Sequence, residues 1–172
     1  MAKNKSALQS GQIGQMAPDF VLKDQYGQDF KLSALKGKRV LLSFYPLAWI
    51  LECAKQMQAL EANTDTFESL NTVSVGISVD SVLTNKAWAS TLGIKTLRLL
   101  SDFYPHGLVS QEYEVFRDIL GFSERANIIV DENRKIIFFK KYESSQFPDI
   151  QEIIEALKAF QFLKPAVKNG PT

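Results

Sequence analysis

The chain has 172 residues, of which 45% are hydrophobic and 23% are charged, a composition typical of one globular domain. Its 20 basic and 19 acidic residues give a net charge of +1, so the basic surplus typical of nucleic-acid binding is missing. The polar start lacks the apolar core of a secretory signal, and the apolar run 40–51 is shorter than the roughly 20 residues of a membrane-spanning helix. We therefore expect a cytoplasmic protein that binds neither nucleic acid nor membrane.

The first third of the chain predicts a hairpin, a buried strand and a long helix. Residues 1–15 are polar and predict a loose lead-in, and short apolar pieces on either side of Gly27 predict a β-hairpin. The continuous apolar run 39–45 predicts a strand that is buried on both faces and ended by Pro46. From Cys53 onward the spacing of apolar residues predicts one helix of about 18 residues, through Met57, Leu60, Thr64, Phe67 and Leu70.

The middle of the chain predicts two further strands with a short helix between them. Residues 72–79 predict another buried strand. Thr84 is a candidate cap for the short helix, and Gly93 stands where such a helix usually stops. Residues 96–102 then predict the next strand.

The last third predicts a helix, an antiparallel strand pair and a final helix. Pro105 marks the expected start of the first of these helices. Two apolar segments, 126–130 and 135–141, flank a tight polar turn and are predicted to pair antiparallel. A helix is expected over 148–162, before a frayed tail at 164–172. The inner face of the first helix is predicted to carry Val109, Tyr113 and Phe116.

This order of elements predicts a single α/β domain over residues 1–172. Strands that alternate with helices form a sheet with right-handed crossovers, and the final hairpin adds antiparallel strands. We therefore expect a mixed central sheet with helices on both faces, in a thioredoxin-like arrangement preceded by an N-terminal β-hairpin.

Cys53 is the only cysteine in the chain, which excludes an intrachain disulfide. A lone cysteine is most often a buried and inert side chain. In the first turn of a helix, however, unpaired backbone N–H groups and the helix dipole stabilise the nucleophilic thiolate. Position 56 is Gln56, so no C-x-x-C pair exists, and an oxidised Cys53 must be reduced by another molecule.

Three segments of the sequence resemble the peroxiredoxins, the thiol peroxidases of the alkyl hydroperoxide reductase type. They are "GQMAPDFVLKDQYGQDFKLSALKGKRVLLSFYPLAW", "LLSDFYPHGLVSQEYEVF" and "ERANIIVDENRKIIFF". The second and third are similar to the family's one-cysteine bacterial members in particular. The resemblance implies a thiol-dependent peroxidase that reduces hydrogen peroxide or alkyl hydroperoxides without a cofactor or metal. It also implies an external thiol reductant, which would be thioredoxin, glutaredoxin or a small thiol.

The resemblance also implies roles for individual residues. Cys53 corresponds to the peroxidatic nucleophile, which attacks the O–O bond and becomes sulfenic acid. Pro46 would shield Cys53, and the backbone N–H of Cys53 would help hold the substrate oxygen. Arg125 would stabilise the thiolate and the developing oxyanion, a role suited to a permanently charged donor. Gln56 would support the arginine. The expected substrate pocket is lined by Trp49, Ile50 and Gln56.

The loop before Cys53 departs from the family's pattern, P-x-x-x-T/S-x-x-C. Ile50 stands where the family has a hydroxyl residue, and Leu51 stands where a proline is customary. Glu52 places a carboxylate beside the cysteine, which disfavours the thiolate if the two groups lie close together. Two hypotheses follow: a slow one-cysteine peroxidase, or a peroxiredoxin-fold protein without peroxidase activity that acts as a redox sensor or binding module.

Other residues offer further hypotheses. His106 is the only histidine, which excludes a multi-histidine metal site but leaves a Cys53–His106 pair of the thiol-hydrolase kind as an alternative. Otherwise His106 is expected in the first turn of a helix, at the surface or at a subunit contact.

Four aromatic residues are expected in the core or an interface, and the resemblance implies that they help form a homodimer: Trp49, Trp88, Phe103 and Tyr104.

Overall fold

A computed structural model describes residues 12–162. Its strands are β1 (Val21–Lys23), β2 (Asp29–Lys31), β3 (Arg39–Phe44), β4 (Thr72–Ser78), β5 (Arg98–Ser101), β6 (Phe116–Arg117), β7 (Phe122–Ser123), β8 (Arg125–Val130) and β9 (Ile136–Tyr142). Its helices are α1 (Leu51–Ala62), α2 (Thr64–Ser69), α3 (Val82–Leu92), α4 (Leu108–Glu112) and α5 (Ile150–Phe162).

Seven strands form one mixed sheet in the order β2-β1-β5-β4-β3-β8-β9. The central strands β3, β4 and β5 are parallel, and helical crossovers connect them. The strands on both flanks are antiparallel, with the hairpin β1–β2 at one edge and β8–β9 at the other. The predicted thioredoxin-like α/β fold, its mixed sheet and its N-terminal hairpin are confirmed.

The apolar run of β3 explains its central place in the sheet. All six of its residues are buried, because both faces of the strand are covered. Leu41 points to the face that carries α1, α2, α3 and α5, whereas Val40 and Leu42 point to the face that carries α4. Full burial of such side chains stabilises the fold by about 1.5–3 kcal/mol each. The helices therefore lie on both faces, and most of them lie on the face of Leu41.

The predicted single helix from Cys53 to Leu70 is two helices in the structure, so that prediction was wrong. Helix α1 begins at Leu51 and ends at Ala62, and it is followed by Asn63, whose side-chain nitrogen donates to the carbonyl of Ala59 at 2.8 Å. The apolar spacing continues into α2 across this break, which is why periodicity alone predicts one helix. Cys53 nevertheless lies in the first turn of α1, as expected.

Helix α3 ends where the sequence predicts but is capped by a different residue. Gly93 ends it in the left-handed conformation, with φ of 73°. The N-terminal cap is Ser81 rather than Thr84, because the Ser81 hydroxyl accepts the backbone N–H of Thr84 at 3.2 Å.

The helix predicted to begin at Pro105 is much shorter than expected. Helix α4 covers Leu108–Glu112, and the chain then reverses at Glu114, where φ is 57°. Phe116 consequently lies in β6 and not on the inner face of a helix, although Val109 and Tyr113 are buried as predicted.

The described part of the N-terminal lead-in is held against the start of β9. Residues 12–15 are not loose: the N–H of Gly14 donates to the carbonyl of Ile136, and the N–H of Ile136 donates to the carbonyl of Gln15. The rest of the predicted lead-in and the tail 164–172 lie outside the described residues. The last helix begins at Ile150 rather than at position 148.

Candidate active site

Cys53 lies in the first turn of α1, just beyond the carboxyl end of β3, and it is completely buried. Open α/β sheets commonly place their sites at this edge. The residue that precedes the helix, Ile50, has no side-chain hydrogen bond to the first turn. The N–H groups at the start of α1 therefore lack the side-chain cap that a serine or threonine would supply.

Arg125 is the charged group that contacts the cysteine. It is the first residue of β8, which pairs with β3, and its Nη2 lies 3.6 Å from Cys53 Sγ. Its Nη1 donates to Gln56 Oε1 at 3.0 Å, whereas its buried Nε has no hydrogen-bond partner. No carboxylate pairs with this guanidinium among residues 12–162. Its charge is therefore directed at the sulfur and at Gln56.

Several opposing effects act on the Cys53 thiol. Burial is the largest, and it raises the pKa of Cys53 above the ordinary value because the thiolate loses its hydration. The backbone N–H of Leu47 and the guanidinium of Arg125 act in the opposite direction, and the nearby Glu52 carboxylate adds a smaller upward effect. The net effect is upward, so burial outweighs the two stabilising contacts.

The loop between β3 and α1 is held in place by a hydrogen bond to the Asp80 carboxylate. One carboxylate oxygen of Asp80 accepts both the backbone N–H of Ala48 and the hydroxyl of Ser78, each at 2.8 Å. Trp49 follows with a φ of 70°, a strained backbone for a bulky residue, and its side chain is 61% exposed. Pro46 and Ile50 are half-buried.

Sequence reasoning missed two residues that lie behind the arginine. Gln56 Nε2 donates to the hydroxyl of Ser43 at 2.7 Å, and that hydroxyl donates to Asn127 Oδ1 at 2.7 Å. Both Ser43 and Asn127 are buried in strands whose other residues are almost all apolar. A polar residue inside each of two apolar runs was the available signal, but only the strand pairing shows that the two residues meet.

The structure does not join His106 to the cysteine. His106 Nε2 lies 2.7 Å from the carbonyl oxygen of Gly121, and its ring packs edge-on against Phe116. The residue is exposed and lies in the turn before α4, not in the helix's first turn as predicted. Neither described hydrogen bond of the histidine involves Cys53, so the geometry gives no support to a thiol-hydrolase pair.

The four aromatic residues separate into two groups. Trp88 is buried in the core and packs against Tyr45 at 5.4 Å between ring centroids. The other three are exposed at the edge of the molecule where β3, β5 and their following loops end: Trp49, Phe103 and Tyr104.

Within residues 12–162, no group of three or more histidine, cysteine, aspartate or glutamate side chains has a geometry that could hold a metal ion. The helices in this part of the chain are also too short or too polar to cross a membrane.

Comparisons with known proteins identify the family. The model of the AhpC/TSA family matches residues 13–139. Alkyl hydroperoxide reductase E of Mycobacterium tuberculosis is 38% identical over 148 residues, which cover 86% of this chain and 96% of that relative. The mitochondrial thioredoxin-dependent peroxide reductase of Drosophila melanogaster is 30% identical over 164 residues, which cover 88% of this chain and 68% of that protein.

Solved structures agree with this relationship. The reduced 2-Cys peroxiredoxin of Plasmodium vivax has a TM-score of 0.83 at 29% identity, over 89% of this chain and 83% of that chain. Peroxidoxin BcpB from Mycobacterium tuberculosis has a TM-score of 0.77 at 29% identity, over 86% and 97% of the two chains. The chain belongs to the AhpC/TSA family, the peroxiredoxins. Its activity class is that of a thiol-dependent peroxidase, an oxidoreductase.

Proposed function

We propose that Cys53 is the peroxidatic nucleophile of a one-cysteine peroxiredoxin that reduces hydrogen peroxide or alkyl hydroperoxides. The observation that carries the proposal is the buried contact of 3.6 Å between Arg125 Nη2 and Cys53 Sγ at the start of α1. This contact places a fixed positive charge where the thiolate forms and where negative charge develops in the transition state. The comparisons give no better support to a member of the family without activity.

The proposed reaction begins when the thiol of Cys53 loses its proton. The thiolate attacks the terminal oxygen of the peroxide, an S–O bond forms and the O–O bond breaks. The leaving alkoxide or hydroxide takes up a proton, so an alcohol or water departs and sulfenic acid remains on Cys53. Because Cys53 is fully buried, we propose that peroxide reaches it when the loop at Pro46, Trp49 and Ile50 opens.

An external thiol completes the cycle. The reductant's sulfur attacks the sulfenic acid and releases water, and a second thiol then breaks the mixed disulfide to restore Cys53. With one cysteine in the chain, no internal resolving thiol exists. We propose thioredoxin, glutaredoxin or a small thiol as the reductant, in the reducing environment of the cytoplasm.

The activity is tested by reacting the reduced protein with hydrogen peroxide in the presence of dimedone, which traps sulfenic acid, and by following intact mass over time. We expect one dimedone adduct per chain, formed far faster than on a free thiol such as glutathione, and none in Cys53→Ser. A rate equal to that of the free thiol would contradict the proposed peroxidase role.

We also propose that the protein forms a homodimer through its exposed apolar edge. A groove of about 440 Å³ is lined by Val21, Leu83, Phe103 and Tyr104. The side chains of Leu83 and Tyr104 are 78% and 89% exposed. Contiguous exposed apolar surface of this kind marks interaction sites. The loop that carries Trp49 is held near this groove by a hydrogen bond. The backbone N–H of Ala48 donates to the carboxylate of Asp80, which precedes α3.

The dimer is tested by analytical ultracentrifugation of the wild-type chain and of Leu83→Glu at micromolar concentration. We expect a dimer for the wild type and a monomer for Leu83→Glu. Tyr26→Glu is the matched control, because Tyr26 is a similarly exposed apolar residue that lies outside the groove, and it should remain dimeric. A monomeric wild type would contradict the proposal.

A further inference from the structure

A series of buried hydrogen bonds continues behind Arg125 into the interior of the sheet. Arg125 Nη1 donates to Gln56 Oε1 at 3.0 Å, and Gln56 Nε2 donates to the Ser43 hydroxyl at 2.7 Å. The Ser43 hydroxyl donates to Asn127 Oδ1 at 2.7 Å. These groups connect α1, β3 and β8 through side chains that are all at least nine-tenths buried.

The same series extends from Asn127 to the far edge of the sheet. Asn127 Nδ2 donates to the hydroxyl of Tyr142 at 3.3 Å, and this hydroxyl donates to Glu152 Oε2 at 3.2 Å. The other carboxylate oxygen of Glu152 pairs with Lys140 at 2.5 Å. We call this set of side chains the polar chain: Gln56, Ser43, Asn127, Tyr142 and Glu152.

The strand register explains how these residues come together. Ser43 is the direct partner of Asn127 across β3 and β8, and Arg125 is the direct partner of Tyr142 across β8 and β9. Directly opposed residues of antiparallel strands project from the same face. This is the face of Leu41, where α1 and α5 pack, so Gln56 and Glu152 reach the polar chain from those two helices.

Every donor in the polar chain points in the same direction, away from Arg125. The Glu152 carboxylate only accepts hydrogen bonds, so the Tyr142 hydroxyl must donate to it. Burial raises the pKa of Tyr142, which keeps this hydroxyl protonated. Each hydrogen bond then fixes the orientation of the side chain that donates it. The Gln56 amide donates through its nitrogen to Ser43, so its oxygen faces Arg125. Hydrogen bonds aligned in this way strengthen one another.

Stability alone does not call for polar residues at these positions. A buried hydrogen bond contributes only about 0.5–1.5 kcal/mol net, and an unsatisfied buried polar group costs roughly 1–3 kcal/mol. An apolar pair at 43 and 127 would continue the strands' buried surface without that risk. What the polar pair adds is a fixed orientation for Gln56.

We propose that Ser43 and Asn127 are positioning residues for the peroxidase reaction, which through Gln56 hold the Arg125 guanidinium against Cys53 Sγ. The inference rests on the proposed roles of Cys53 and Arg125. Gln56 is neutral, so it orients the guanidinium without sharing its charge, and that charge stays directed at the sulfur and the developing oxyanion.

The test compares full-length Ser43→Ala and Asn127→Leu with the wild type in two measurements. One is the second-order rate constant of Cys53 with hydrogen peroxide, and the other is the Cys53 pKa, taken from the pH dependence of alkylation by iodoacetamide. We expect the rate constant to fall about tenfold, because misplacing a catalytic group by about 1 Å can cost on the order of 100-fold. The Cys53 pKa should rise in both variants.

Ser110→Ala is the matched control. Ser110 is also completely buried and its hydroxyl also donates to a side-chain oxygen, that of Asp102, but it lies in α4 on the opposite face of the sheet. Both measurements should remain at the wild-type values in this variant, apart from any loss of global stability.

A double-mutant cycle separates positioning from a general structural effect. In an Arg125→Ala background, Ser43→Ala should change neither the rate constant nor the Cys53 pKa further. If Ser43→Ala does not fold, Tyr142→Phe breaks the polar chain nearer the surface, and Tyr113→Phe serves as its control because the Tyr113 hydroxyl bonds to Pro18 instead.

Two results would overturn the proposal. One is a wild-type rate constant and a wild-type Cys53 pKa in Ser43→Ala and Asn127→Leu. The other is an equal decrease of the rate constant on Ser43→Ala substitution with and without Arg125. The alkylation measurement does not depend on peroxidase turnover. A wild type no faster than a free thiol would therefore contradict the proposed function, while the pKa values would still decide the positioning role.

Discussion

The sulfur of Cys53 faces the sheet on one side and the loop between β3 and α1 on the other, and the two sides offer it different groups. On the sheet side lies Arg125, whose guanidinium contacts Sγ and is held by Gln56 and the rest of the polar chain. On the loop side lie the half-buried Pro46 and Ile50, and the backbone N–H of Leu47 donates a hydrogen bond to the sulfur. The sheet therefore supplies a charged donor to the sulfur, whereas the loop supplies a neutral backbone donor.

The two sides differ in how their donor groups are positioned. A strand residue such as Arg125 is positioned by pairing across the sheet and by buried hydrogen bonds, so its geometry is fixed before peroxide arrives. The loop carries Pro46 and Ile50, and the Ile50 side chain cannot donate a hydrogen bond. Substitutions on each side should therefore change the rate constant by different amounts.

Removal of the sheet-side charge should have the largest effect. Arg125→Gln takes away the only cation that contacts Cys53 in the described residues. We expect the rate constant with hydrogen peroxide to fall about 10²–10³-fold, the usual cost of losing one preorganised donor at a reacting centre. Stopped-flow measurement of sulfenic acid formation gives this value directly.

Arg125→Lys is the control for charge without the planar donor group. An ammonium group cannot bond Gln56 and face the sulfur in the fixed geometry of a guanidinium, so this variant should fall between the wild type and Arg125→Gln. If Arg125→Gln retained the wild-type rate constant, the helix terminus and the Leu47 N–H would be sufficient, and the sheet side would lose its leading role.

Restoring a hydroxyl on the loop side should have a smaller, opposite effect. Ile50→Thr adds a hydroxyl at the N-cap of α1, which has no side-chain cap now, and we expect this hydroxyl to donate to the sulfur as well. We expect the rate constant to rise on the order of 10-fold, and the free energy of unfolding to rise by about 1 kcal/mol from the cap. Denaturant unfolding measures the second quantity.

Ile50→Val is the matched control, because valine has the shape of threonine without its hydroxyl. It should retain the wild-type rate and should lose a little stability through the missing methyl group. If the threonine and valine variants reacted equally fast, the missing hydroxyl would not be what limits the rate.

The fold was largely predictable because its strands are continuous apolar runs. β3, β4 and β8 are buried on both faces, so composition alone marks them. The errors fall where local geometry competes with periodicity. Asn63 ends α1 although the apolar spacing continues, and Glu114 reverses the chain after α4 with a positive φ, so Phe116 leaves the expected helix.

The site was predictable only as far as the family's motif extends. Pro46, Cys53, Gln56 and Arg125 were identified by resemblance, and the structure brings the last three into contact. Ser43 and Asn127 belong to no motif, and 84 residues separate them in the sequence. Their contact depends on the antiparallel register of β3 and β8, which is a property of the whole sheet and not of any local segment.

The smallest predicted effect concerns the balance at the sulfur itself. Burial raises the pKa of Cys53 in the folded protein above that of an unfolded cysteine, so the folded state holds the proton more tightly. The resulting stabilisation is fully present below the unfolded pKa of about 8.5 and is lost as the pH rises through the folded pKa. Stability should therefore decline at alkaline pH.

Cys53→Ser isolates this contribution, because it removes the titrating thiol and leaves the other ionisable groups in place. The difference in the free energy of unfolding between the wild type and this variant, measured by denaturant titration from pH 7.5 to about 9.5, should fall as the pH rises. This range stays below the ordinary tyrosine pKa of about 10. A difference that instead grew with pH would mean that Arg125 and the Leu47 N–H outweigh burial. The buried thiolate would then be the favoured state, and Arg125 and the Leu47 N–H together would stabilise it by more than burial destabilises it.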